Sequence, residues 1–133
     1  MTHNEVMKKW IWKWYAETMK LGFQCVAWVK KYCSEMGYPI RSFWGSAING
    51  WLTGSPFDLS WRKVKYTWFN SPSEWDIIFW SEGRVRDGHV AVANKFCNLL
   101  VLRYTDQNGG WNEESIQPRF TWYRNVLGWY TRK

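Results

Sequence analysis

Residues that together can cleave an acyl bond occur in order along this 133-residue chain: Cys25 in "GFQCVAWVKKYC", His89 in "GHVAVA", and Asp106 with Asn108 in "RYTDQNGG". A thiol in the first turn of a helix sits at the positive end of the helix dipole, which favours thiolate, the species that attacks. A histidine at the head of a strand, held by rigid backbone, suits the role of general base. Its other ring nitrogen then needs an acceptor. Asp106 and Asn108, two residues apart and so on one side of an extended chain, both offer one, and Cys-His-Asp and Cys-His-Asn are each workable triads. The same residue types also admit a purely structural reading. In that reading Cys25 packs in the core, His89 caps a strand and residues 106–109 make a turn.

Other chemistries find little to work with. The second histidine, His3, falls in a terminus expected to be mobile. The chain has no C-x-x-C and no H-E-x-x-H, so no protein-ligated metal is expected. A G-x-S-x-G elbow is missing, and neither glycine-rich phosphate fingerprint occurs, so no serine triad and no nucleotide cofactor are expected either. An odd count of 3 cysteines argues against a disulfide framework, and Cys33 and Cys97 read as buried thiols.

The elements that must position these groups follow from periodicity. Thr2 and Glu5 have capping-box spacing, and Val6, Trp10 and Trp14 recur at four-residue intervals, which predicts an amphipathic helix over 5–20 ended by Gly22. A second helix is predicted from Phe23 to Met36, with Gly37 and Pro39 as its stop, which places Cys25 in its first turn. A helical turn is expected between Gly45 and Gly54, followed by loop or hairpin. The second half changes period: "DIIFW", "HVAVA", "NLLVLRYT", "RFTWY" and "VLGWY" read as strands separated by turn residues. Helices first and an antiparallel sheet of about five or six strands afterwards make an α+β domain, and the length suits one domain over 1–133.

A net charge of +7 implies attraction to a polyanion, whether nucleic acid, an anionic membrane surface or an anionic cell wall. Without an RNP-like motif, nucleic acid is not the expected partner. The amino-terminal residues hold no apolar stretch of signal-peptide length, and nothing later approaches a membrane span, so cytoplasmic synthesis and no stable membrane insertion are expected. Thirteen tryptophans exceed ordinary usage. Some belong to the core, while ring faces left in a groove could stack on sugars, bases or peptide planes.

"GFQCVAWVKKY", "WDIIFW", "GHVAVA", "DQN" and "NVLGWY", in this order over about 22–130, resemble the CHAP domain family of cysteine- and histidine-dependent amidohydrolases and peptidases, found in phage endolysins and bacterial wall hydrolases. The Gln24-Cys25 and Gly88-His89 pairs are the most specific parts of the likeness. It implies a papain-like fold, Cys25 as nucleophile, His89 as base, and Asp106 and Asn108 at positions that usually read Glu-x-Asn. It also implies amide hydrolysis in peptidoglycan, either between glycan and stem peptide or within the peptide network. A monomer is expected, which without a signal peptide reaches the wall after release from the host or as part of a virion. Gln24, Trp44, Trp51 and Trp111 are expected to border the substrate, and the positive charge to meet anionic wall polymers. Two departures stand out: Trp75 replaces the usual glycine before Asp76, and Ala27 stands where an acid is common. The main rival is a wall-binding module on the same fold without catalysis.

Overall fold

The computed structural model of the chain describes residues 1–13, 24–40, 47–54, 56–81, 88–107 and 115–132. Three helices precede and flank a six-stranded antiparallel sheet: α1 (His3–Trp10), α2 (Gln24–Met36), α3 (Ala47–Thr53), β1 (Trp61–Lys65), β2 (Ile77–Trp80), β3 (His89–Ala93), β4 (Leu102–Asp106), β5 (Gln117–Thr121) and β6 (Val126–Arg132). The strands lie in the order β1-β6-β2-β3-β4-β5. The α+β expectation holds, with six strands.

Apolar runs in the central strands are continuous because both sheet faces are covered. Ile77, Phe79, Val90 and Val92 join a cluster with Val6, Trp28, Val29, Tyr32 and Trp51 from the helices. Their sequence neighbours Ile78, Trp80, Ala91 and Ala93 join a second cluster with Leu102, Tyr104, Tyr123, Val126 and Trp129. α2 is the central helix and packs on β3 and β4. It ends as its sequence demands: Gly37 adopts φ 73°, and the Tyr38 and Gly37 amides donate to the Cys33 and Ser34 carbonyls in a Schellman arrangement.

Four expectations need correction. The capping box of Thr2 and Glu5 forms, but α1 ends at Trp10 instead of Gly22. Trp12 turns left-handed at φ 71°, and Trp12 and Lys13 exchange backbone hydrogen bonds with Ile116, so tertiary pairing ends the helix; residues 14–22 lie outside the described residues. His3 is not in a mobile end: it is buried in the first turn of α1, hydrogen-bonded to the Tyr32 hydroxyl at 2.9 Å and Asn94 Oδ1 at 3.2 Å. "WRKVK", within the stretch read as loop or hairpin, is edge strand β1, paired with β6. β4 starts at Leu102 because Asn98 Oδ1 accepts from the Leu100 and Val101 amides, holding residues 98–101 in a turn. Among the described residues no helix is long and apolar enough to cross a membrane.

Candidate active site

The two glycine-flanked or helix-opening pairs of the sequence meet in space. Cys25 is the second residue of α2 and 5% exposed, and His89 is the first residue of β3 and 7% exposed. The residue before His89 has to be glycine. Gly88 adopts φ 82°, and a Cβ there would stand 2.9 Å from the Trp80 carbonyl oxygen and 3.2 Å from Ile48, so α3 and the end of β2 close directly on this backbone. The Trp80 ring covers the imidazole, with ring centroids 5.3 Å apart.

His89 Nε2 is 2.7 Å from Asp106 Oδ2. The register pairs Val92 with Thr105; continued, it sets Asp106 opposite Ala91, diagonal to His89 and on the same face of the sheet. The Trp28 indole of α2 donates to the Thr105 carbonyl at 3.1 Å, which ties the helix that carries Cys25 to the strand that carries Asp106. Nε2 being engaged, Nδ1 is the nitrogen left to the Cys25 thiol, with which His89 also shares a hydrogen bond. Burial alone would lower the pKa of this imidazole. The hydrogen bonds and negative charge of Asp106 and Cys25 outweigh burial and push it up to about 10.

Asp106 is fully buried, and an isolated buried carboxylate would be costly. Its second oxygen, Oδ1, accepts from Arg119 Nε of β5 at 2.7 Å. The carboxylate is thus held from both neighbouring strands, by an imidazole on β3 and a guanidinium on β5. Sequence reasoning missed Arg119. Its signal was alternation: in "QPRFT", Pro118 and Phe120 are exposed while Arg119 points the other way, toward the strand of the acid.

Residues 14–108 match the CHAP domain. The chain belongs to the CHAP domain family. In three dimensions it is similar to the crystal structure of a wild-type endolysin, LysIME-EF1, with a TM-score of 0.74 and 17% identity over 96% of this chain and 61% of that one. This likeness shows the CHAP fold expected from the sequence. No curated protein matches the chain in sequence.

Of the other expected site residues of this CHAP chain, Gln24 opens α2. Asn108, Trp44 and Trp111 lie outside the described residues. Trp51 is a core ring: it is 6% exposed, packs against Phe79 and Tyr130, and is covered by the Lys63 ammonium 4.1 Å from the ring centre. It seats α3 on the sheet, where Gly128 leaves room for the ring. Cys33 is a buried thiol as expected, pushed up to about 12 by burial. Cys97 is only partly covered, and none of the three cysteines forms a disulfide.

The departure at Trp75 acquires a physical meaning. Trp75 adopts φ 84°, a conformation that glycine tolerates and a bulky residue rarely does. Its amide donates to the Ala93 carbonyl and the Ala93 amide to the Asp76 carbonyl, so pairing with the end of β3 holds it there.

Proposed function

We propose that the protein is a cysteine-dependent peptidoglycan hydrolase, an N-acetylmuramoyl-L-alanine amidase or a peptide endopeptidase of the phage lysin type. The observation that carries the reading is a buried imidazole joined at once to Asp106, at 2.7 Å, and to the thiol of Cys25. A structural histidine needs no carboxylate charge-balanced from its far side by Arg119, nor a cysteine at a helix start as its second partner.

The raised basicity of His89, with a value of about 10, favours transfer of the Cys25 proton to the imidazole. The thiolate so formed is the attacking species. Attack on the scissile carbonyl forms a C–S bond and a tetrahedral oxyanion, for which the backbone N–H groups at the start of α2, including that of Cys25, supply donors. Collapse breaks the C–N bond as His89 gives its proton to the leaving nitrogen. The neutral imidazole then takes a proton from water, whose attack on the thioester breaks the C–S bond and releases the acid, and that proton returns from His89 to the sulfur to restore the thiol. Asp106 fixes the ring and stabilises the imidazolium, and Arg119 holds Asp106 in place.

Digestion of purified peptidoglycan, with mass spectrometry of the soluble fragments and amine release as readouts, tests the reading. New amino-sugar lactyl carboxylates paired with free alanine amines identify the amidase, and new peptide termini identify the endopeptidase. Binding to the wall with no fragments released from several wall types would leave a non-catalytic module as the better account.

A further inference from the structure

Outside the Cys25–His89 pair, a shallow groove follows the flank of α1. Its two parts, cavities of about 420 Å3 and about 270 Å3, share Asn4, Met7 and Ile11 as a floor. Lys8 and Trp12 line one part, and Lys95 and Phe96 the other. At this flank His3 is hydrogen-bonded to Tyr32, two turns of α2 beyond Cys25, about 10 Å of helix. Asn94, which also lines the groove, lies a strand's length from His89, about 17 Å. The groove and the catalytic pair are therefore separate.

Two features mark it as more than a surface irregularity. The rings of Trp12 and Phe96 stand 67% and 81% exposed, so neither fills the core. Both residues have left-handed backbone, φ 71° and 69°, which side chains of this bulk rarely adopt and which concentrates where a ligand is clamped. Between these rings lie an apolar floor and the amide of Asn4, with an ammonium on each side. Lys95 has a loose ion pair with Glu74, at 3.7 Å. Flat apolar faces beside amide and cationic groups suit a ligand with apolar ring faces, a polar rim and negative charge.

The geometry points to this groove as a second binding site, for the N-acylated amino-sugar chain of peptidoglycan. Trp12 and Phe96 stack on sugar faces, and Lys8 and Lys95 meet the carboxylates of the stem peptides. The choice of chain rests on the proposed wall substrate. A strand held here is presented to Cys25 from a distance, which retains the enzyme on a polymer after each cleavage.

The test is equilibrium binding of the full chain carrying Cys25→Ala to purified wall sacculi, intact or chemically stripped of covalently attached phosphate polymers. Trp12→Ala and Phe96→Ala, each added to that background, weaken binding to both preparations roughly tenfold. Trp68→Ala, which removes an exposed ring on the β1–β2 connection, leaves it unchanged. Phe96→Gly, which suits the positive φ, repeats the loss without backbone strain, and thermal melts report the folded state of each variant. Groove variants that bind as the parent does, or equal weakening by all the substitutions, would overturn the site. Binding confined to unstripped sacculi would overturn the glycan in favour of a phosphate polymer. Failure of the hydrolase reading shows separately, as wild-type protein that releases no fragments.

Discussion

At the residue scale the account rests on one carboxylate shared by two cations. Asp106 is buried between His89 and Arg119, so Asp106→Ala strands a guanidinium and an imidazole and should destabilise the fold by about 3–5 kcal/mol in urea unfolding. Arg119→Met leaves Oδ1 without that donor and should cost about 1–3 kcal/mol. The pH dependence follows from His89. Its folded value of about 10 lies above the unfolded 6.5, so the stabilisation is complete below about 6.5 and is lost as pH rises through about 10. Hydrolysis should fall on the same alkaline limb, where the leaving nitrogen loses its acid. Asp106→Asn removes the carboxylate charge, so a pH–rate profile of that variant should show the limb shifted to lower pH. Cys25, His89 and Asp106 were legible as a candidate site from their types, order and neighbours, and the structure brings them together. Arg119 was not, because an ion pair across strands depends on register, which composition does not reveal.

At the scale of elements, two backbone positions decide how the site is held. Gly88→Ala adds left-handed strain of about 1–2 kcal/mol and a contact with the Trp80 carbonyl. It should lower the melting temperature and also displace His89, so hydrolysis should fall at temperatures where the variant is still folded. Trp75→Gly runs the other way. It relieves about 1–2 kcal/mol of strain at φ 84° but gives up the buried half of the ring, so stability in urea titration should change by less than about 1 kcal/mol. Most elements were readable because both central strands and α2 carry strong apolar patterns. β1 was not: "WRKVK" is an edge strand, too charged to signal burial. The early end of α1 was hidden for a different reason, since Trp12 and Lys13 are pulled out of the helix by Ile116, a partner far along the chain.

At the scale of the whole molecule, the tryptophans and the charge divide the work. Trp28, Trp51, Trp61, Trp80 and Trp129 are core, so part of the excess simply fills both sides of the sheet. This is why Trp51 could not be assigned from sequence, where a core ring and a groove ring look alike. Trp12, Trp68 and Trp122 are exposed instead, and with a net charge of +7 they give the surface both ring faces and cations. Attraction to an anionic wall is screened as the Debye length shrinks to about 3 Å at 1 M salt. Cleavage of whole sacculi should therefore drop as salt rises, while cleavage of a small soluble fragment at saturating concentration should change little. The most direct test of the central claim is intact-protein mass spectrometry after acid quench during turnover of a soluble peptidoglycan fragment. An acyl adduct should appear on the wild-type protein and map to the peptide that contains Cys25 after proteolysis, with neither adduct nor product from Cys25→Ala. Product formed by Cys25→Ala at the wild-type rate would contradict it.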